Sequence, residues 1–264
     1  MKNKVNIVGI LNLSPESFGS EAYTDMPAIL ARAGEMLHDG ADYIDVGAQS
    51  TRPGSVQLSL EEELGRLRGV VAGIKAQYPN AKVSVDTTRV ECIELALSEG
   101  ADMVNDISGG RFDPSMAKMV AESGVQYVLM HSQGSFDELH AGYEYTDIMA
   151  DIRTYFEEKV EQLLDAGVSR EQIILDPGIG FSKKGAQNIE ILNRLNELHS
   201  FALPLYVGVS RKKFIGEMIG EPDPTKRDVA TTVVHALCIQ KGVAYIRTHN
   251  VAYAKECVQV MNAL

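Results

Sequence analysis

Leu205-Tyr206-Val207-Gly208-Val209-Ser210-Arg211-Lys212 is a short apolar run that stops abruptly at a hydroxyl and two cations. The same pattern recurs along the rest of the chain. Val5 to Leu11 stops at Asn12, Tyr43 to Val46 leads to Gln49-Ser50-Thr51-Arg52-Pro53, and Val83 to Val85 stops at Asp86. Met103-Val104 stops at Asn105-Asp106, Tyr127 to Met130 at His131, Ile173 to Leu175 at Asp176, and Tyr245-Ile246 at Arg247 and His249. Short continuous apolar runs read as strands buried on both faces. Helical patterns lie between them: Ile29 to Leu37, Glu61 to Ile74, Val90 to Ser98, Asp147 to Leu164 and Ile189 to Leu198. Strand and helix alternate eight times, which predicts an α/β fold of one (β/α)8 TIM barrel over residues 1–264.

In such a barrel the C-terminal ends of all strands converge on one face. The polar residues that end the runs therefore predict a single pocket. One Asp or Asn after a strand is often only a cap or turn residue. Eight strands ending in this way need another explanation.

The length of 264 residues is close to the roughly 250 of a typical barrel, and no Pro/Gly/Ser-rich linker divides the chain. No apolar stretch reaches the roughly 20 residues of a membrane span, and Met1-Lys2-Asn3-Lys4 runs into the first strand without a signal-peptide core. A cytoplasmic protein with no membrane partner is expected. Cys92, Cys238 and Cys257 fall within helical patterns without pairing or metal-ligand spacing, so they read as small thiols without chemistry.

A formal charge of −11 argues against a nucleic-acid partner, which needs basic patches to neutralise phosphates. Against that acidic body, Arg52, Arg211, Lys212, Lys213, Arg247, His131 and His249 sit at strand ends and predict a positive pocket for a small anion. The groups after strands seven and eight count most, because phosphate sites in these barrels are often built there. Asp86, Asn105 and Asp176 suggest hydrogen bonding to a flat heterocycle with adjacent ring N–H, amino and carbonyl groups. A sugar or a metal could use some of the same atoms, although no clustered ligand motif such as H-E-x-x-H is present.

The motifs resemble those of dihydropteroate synthase from Ile7 to Val251. They comprise Gly9-Ile10-Leu11-Asn12-Leu13-Ser14-Pro15-Glu16-Ser17-Phe18, Ile44-Asp45-Val46-Gly47-Ala48-Gln49-Ser50-Thr51-Arg52-Pro53-Gly54 and Ser84-Val85-Asp86-Thr87. Val104 to Gly110, Val128 to His131, Leu175 to Phe181, Val207 to Gly216 and Arg247-Thr248-His249-Asn250-Val251 follow in order. The resemblance implies condensation of 6-hydroxymethyl-7,8-dihydropterin diphosphate with 4-aminobenzoate, giving 7,8-dihydropteroate and pyrophosphate. It also implies a homodimer and a site that sulfonamides enter as 4-aminobenzoate mimics. It assigns Asp86, Asn105, Asp176 and Lys212 to the pterin and Arg247 with His249 to the diphosphate, with Asp86, Asp176, Lys212, Arg247 and His249 the catalytic set. Thr51, Arg52, Pro53, Ser210 and Phe181 fall on the aminobenzoate side, Met130 lies among the substrate-binding residues, and Asn12 is a ligand to Mg²⁺.

The chain departs from the family pattern after the first strand, where Ser14-Pro15-Glu16-Ser17-Phe18-Gly19-Ser20-Glu21-Ala22 lacks two usual glycines, and after the second, where Ala48-Gln49 replaces Gly-Glu. Closure of two loops, Leu13 to Ala22 and Gln49 to Gln57, over the site is expected. Two other functions share the barrel and its pterin carboxylates: a module presenting methyltetrahydrofolate to a corrinoid protein, and a non-catalytic pterin-binding paralogue. The former does not need Thr51-Arg52-Pro53, Ser210-Arg211-Lys212 or the Arg247/His249 pair. Gly178-Ile179-Gly180 lacks the third glycine of a dinucleotide fingerprint and reads as a turn. His38, His140, His199 and His235 read as surface or internally satisfied histidines, and Gly220 to Pro224 as a turn before a helix capped near Thr225-Lys226-Arg227-Asp228.

Overall fold

The computed structural model describes residues 4–13, 25–51 and 54–264. Eight parallel strands form one sheet: β1 (Asn6–Asn12), β2 (Tyr43–Gly47), β3 (Lys82–Asp86), β4 (Met103–Asp106), β5 (Gln126–Met130), β6 (Ile173–Asp176), β7 (Tyr206–Gly208) and β8 (Tyr245–Thr248). The strand order β6-β5-β4-β3-β2-β1-β8-β7 is closed between β6 and β7 by a bridge of Leu175 to Leu205 and by Leu175 N–H donating to Pro204 O at 2.9 Å. The expected barrel is therefore present. A closed sheet has no unpaired edge, and here helices cover its outer face.

Alternation along each strand sorts the side chains. Ile7, Leu11, Ile44, Val46, Val83, Val85, Val104, Leu129, Ile173, Leu175, Val207 and Ile246 point outward into the main apolar layer under the helices. The opposite parity fills the barrel with Val8, Met103, Val128, Ile174 and Tyr206, together with Tyr43 and Tyr245. Those two tyrosines are joined through Gln126, which accepts from Tyr43 OH at 2.9 Å and donates to Tyr245 OH at 3.2 Å. Each fully buried aliphatic or aromatic side chain stabilises the fold by about 1.5–3 kcal/mol. The barrel centre is thus a packed floor, and chemistry is confined to its C-terminal mouth.

The helices form where caps and apolar periodicity agree. Asp25 caps Met26–His38 by accepting from Ala28 N–H at 2.9 Å, and Asp147 caps Ile148–Asp165, whose Ile148, Ile152, Phe156, Val160 and Leu163 make one buried stripe. The helix expected over Glu61 to Ile74 is two, Leu60–Leu67 and Val70–Gln77. Gly69 divides them at φ +77, a left-handed conformation that costs glycine no Cβ clash. The helix expected over Ile189 to Leu198 is displaced to Gly185–Arg194, followed by a 3₁₀ segment Leu195–Phe201. All three cysteines are free and buried, and among the described residues no helix is long and apolar enough to cross a membrane.

Candidate active site

The inward parity that carries Tyr43, Met103, Ile174 and Tyr245 on the floor carries Asp45, Asn105, Asp176 and Arg247 one layer higher. Arg247 Nε donates to Asp45 Oδ2 at 2.6 Å and its NH2 group to Asp86 Oδ2 at 2.7 Å. Asn105 Nδ2 donates to Asp45 Oδ2 at 3.1 Å, and Asp86 and Asn105 are register partners on β3 and β4. One guanidinium thus holds two carboxylates from two strands. Burial pushes the Asp86 carboxyl up to about 7; Arg247 opposes that shift, and Asp45 adds to it. Asp45 is fully buried, and its Oδ1 has no hydrogen-bond partner among the described residues. Sequence reading passed over this residue as part of an apolar run. The available signal was a carboxylate inside a strand buried on both faces.

Across the mouth, Asp176 is buried at the end of β6, and its Oδ1 accepts from Gly178 N–H at 2.7 Å. Burial raises its pKa against that bond and against the nearby Lys212. Burial likewise lowers the Lys212 ammonium to about 8. Lys212 donates to Ile179 O and lies over the Phe181 ring at 4.2 Å from its centroid. Met130, Ile107 and Leu139 form an apolar patch on which Phe181 and Phe136 pack. Gly178 is at φ +68, and a Cβ there would lie 2.0 Å from His131 O, so this turn admits no side chain. Gly178-Ile179-Gly180 is the turn that follows β6.

Beneath that turn the loops after β5 and β6 are clasped together. Lys183, buried and pushed down to about 7 by burial, lies 2.9 Å from His131 Nδ1 and donates to the carbonyls of His131 and Phe181 at 3.1 and 3.0 Å. Ser182 adopts φ +54, unusual for a residue with a Cβ, and its hydroxyl bonds Gln133 N–H at 2.9 Å and Gln133 O at 2.8 Å. His131 was expected in the positive pocket. It is instead buried against Tyr155 and held neutral, its pKa pushed well down by burial and by the adjacent cations Lys183 and Arg111.

At the remaining edge Ser210 Oγ lies 2.9 Å from His249 Nδ1 and accepts from His249 N–H at 3.1 Å, joining the ends of β7 and β8. Asn12 ends β1, and its side chain is hydrogen-bonded to no described residue. After β2, Gln49 staples its own loop: Nε2 donates to Ser50 O at 2.6 Å and Val56 O at 3.2 Å, while Oε1 accepts from Leu58 N–H at 2.6 Å. A glutamate would keep only the last of these. Thr51, half-buried, lines a cleft with Asp86, Thr87, Ile107 and Phe136. His140, read as a surface or satisfied histidine, belongs to this rim and stacks on Phe181 with centroids 5.4 Å apart.

Asp106, Arg211 and Lys213 are corrected. Asp106 follows Asn105 on the strand and so points the other way, accepting from Ser108, Gly110 and Tyr127 at 2.7 Å as the brace of a turn. Arg211 is paired with Asp228 at 2.6 Å, and Lys213 is exposed beside Glu217. Among the described residues the cations facing the mouth are thus Lys212 and Arg247, with His249 at its edge. His235 is also corrected: it is fully buried with neither ring nitrogen partnered among the described residues. Arg52, Pro53 and positions 14–22 of the first loop lie outside the described residues. Among the described residues no group of three or more His, Cys, Asp or Glu side chains forms a metal cluster.

A packed barrel whose mouth gathers three carboxylates, an amide, a lysine and an arginine defines a pterin-binding enzyme, and the chain belongs to that family, whose profile matches residues 8–249. Within it the chain is similar to dihydropteroate synthases. It is 40% identical to that of Synechocystis, covering 98% of this chain and 89% of the relative, and 36% identical to that of Escherichia coli K12, covering 98% and 91%. Its structure superposes on the Yersinia pestis enzyme in complex with a sulfonamide drug at a TM-score of 0.94, with 35% identity over 98% of this chain and 94% of that one. The Thermus thermophilus enzyme in complex with 4-aminobenzoate gives 0.88, with 37% identity over 100% and 96%.

Proposed function

We infer that this chain is a dihydropteroate synthase, joining 6-hydroxymethyl-7,8-dihydropterin diphosphate to 4-aminobenzoate with release of pyrophosphate. The observation that carries the reading is the convergence of Asp86, Asn105, Asp176, Lys212, Arg247 and His249 on one barrel mouth, in a chain related over nearly its whole length to such enzymes. Asp86, Asn105 and Asp176 take the hydrogen-bonding edge of the pterin, and Lys212 takes a ring acceptor. Arg247 uses Nε and NH2 on Asp45 and Asp86, which leaves its NH1 group for the diphosphate beside His249. Thr51, Arg52, Pro53, Ser210 and Phe181 form the aminobenzoate side, with Met130 in the apolar floor beneath.

The chemistry is a substitution at the exocyclic methylene. Its C–O bond breaks, the electron pair leaves with pyrophosphate, and the aniline nitrogen attacks the carbon and then loses a proton. Asp86 and Asp176 stabilise positive charge spreading into the pterin, and Arg247 and His249 stabilise negative charge on the leaving group. Preorganised charges of this kind contribute several kcal/mol in a water-poor site. Mg²⁺ fits as a partner of the diphosphate, because Asn12 presents an amide oxygen free of described hydrogen bonds and Mg²⁺ sites commonly use one or two protein ligands plus phosphate oxygens. When bound it would supply further positive charge to those oxygens.

The exposed apolar side chains Met218, Ile219, Val229 and Val233 on the helices Lys213–Ile219 and Asp228–Gln240 support a homodimer through these outer helices, in a cytoplasmic enzyme. Sedimentation of the wild type and of Val233→Asp tests the dimer: a monomeric wild type would refute it. The function is tested by coupled detection of pyrophosphate, with product mass confirmed by spectrometry. Release that does not require both substrates would overturn the assignment.

A further inference from the structure

His140 occupies an unusual electrostatic position. Its Nδ1 lies 3.2 Å from Gly180 O and its Nε2 lies 2.5 Å from Thr51 O, so both ring nitrogens face carbonyl oxygens. A carbonyl oxygen can only accept. A neutral imidazole carries one N–H, so one of these contacts would set a lone pair against a lone pair, and only the imidazolium donates to both. The ring also stacks on Phe181 at 26° between planes. It therefore touches the loop after β2, through Thr51, which lines the cleft beside Asp86, and the loop after β6, through Gly180 and Phe181.

Among the described residues the charged group facing His140 is Lys212, whose ammonium packs on the same Phe181. Burial lowers the imidazole pKa below the ordinary 6.5, the two carbonyl bonds raise it, and Lys212 lowers it further. A neutral ring holds one carbonyl and leaves the other unsatisfied. A carboxylate seated between the two loops offsets both the burial and Lys212, and so favours the charged form.

We propose that His140 is a positioning residue that, as an imidazolium, clamps the loop after β2 onto the loop after β6 when the carboxylate of 4-aminobenzoate is seated. The inference rests on placing aminobenzoate between these loops. Anion binding and proton uptake then reinforce each other, so the clamp tightens on an anionic second substrate and stays loose around a neutral one.

Two variants test it, His140→Phe, which keeps the stack without the nitrogens, and His140→Gln, which keeps a donor that does not titrate. In the wild type, KM for 4-aminobenzoate should rise as pH is raised through the imidazole pKa, with kcat moving little. At neutral pH His140→Phe should raise that KM about tenfold and leave kcat and the pterin diphosphate KM within about twofold, the cost of one or two hydrogen bonds. His140→Gln should recover most of the affinity and show no such pH dependence, which also separates the effect from titration of the substrate's own carboxyl. An unchanged aminobenzoate KM in His140→Phe, or a wild-type pH profile in His140→Gln, would overturn the proposal. Nitrogen-15 NMR of the free enzyme separates the clamp from the substrate placement. Thr51 and Gly180 amide signals that follow His140 protonation while neither KM changes would refute the aminobenzoate placement alone, and signals that stay fixed would refute the clamp itself.

Discussion

Asp45→Asn changes one charge and almost no volume at the centre of the site. In the wild type two buried carboxylates share the Arg247 guanidinium, and Asp86 is held at about 7, mainly by burial and in part by Asp45. Carboxylates on neighbouring N–H groups of one guanidinium lie roughly 5 Å apart, and at an effective dielectric of about 20 their repulsion is about 3 kcal/mol, or about two pH units. The Asp86 midpoint should therefore fall by about two units in the variant. If the pterin edge donates to an ionised Asp86, affinity is lost as pH drops through that midpoint. Calorimetric titration with 6-hydroxymethyl-7,8-dihydropterin should show wild-type affinity declining below about pH 7, and the variant holding its affinity to roughly pH 5. Stability follows the same group with its own sign. Because its folded pKa is raised, the stabilisation from Asp86 is complete below the ordinary carboxylate range and is lost as pH rises through about 7. The melting temperature of the variant relative to wild type should accordingly improve with increasing pH. Coincident binding midpoints in the two proteins would refute the account of Asp86.

Ser182→Ala keeps the left-handed backbone but loses both hydroxyl bonds to Gln133 and should cost about 1–3 kcal/mol in urea denaturation, with Ser182→Gly less damaging because about 1 kcal/mol of strain is relieved; equal stability of Ala and Ser would show that the hydroxyl holds nothing. Since Arg247 pairs with Asp86 as well as facing the leaving group, Arg247→Lys should weaken pterin binding together with turnover, because a point charge cannot reproduce the fork. Pterin affinity equal to wild type would separate the two roles. Calorimetry should find 4-aminobenzoate bound roughly 5- to 150-fold more tightly with Mg²⁺ and pyrophosphate present than to the free enzyme, and equal affinity would mean a preformed second site.

The strands were legible because a barrel strand, buried on both faces, is written as an unbroken apolar run, and the pocket because polarity recurs at each run's end. What stayed hidden depends on three-dimensional parity and on pairing. Asn105 and Asp106 look equivalent in the sequence, yet one strand step sends the first into the barrel and the second into a turn. Arg211 and Lys212 look like one basic motif until Asp228, from a later helix, takes the first. Asp45 was concealed by its apolar neighbours Ile44 and Val46, which face the helices while it faces the lumen. Nothing local to His140 marks it, because its partners Thr51 and Gly180 come from other loops. The expected single helix over Glu61 to Ile74 missed Gly69, whose isolated glycine was the available sign of a break.

The pairing of Arg247 with Asp45 also bears on how the molecule is made. The two residues are 202 positions apart, so the cation that neutralises the barrel's inner carboxylates is made well after both of them. Until β8 arrives, Asp45 and Asp86 have no guanidinium between them, and a lone buried carboxylate costs several kcal/mol. A partial barrel ending before Tyr245 is therefore held open by its own charge as well as by the unpaired flanks of β1 and β7. Insertion of the eighth strand thus joins β1 to β7 and sets a guanidinium between the two carboxylates in one event, so closure of the sheet and assembly of the site are the same step.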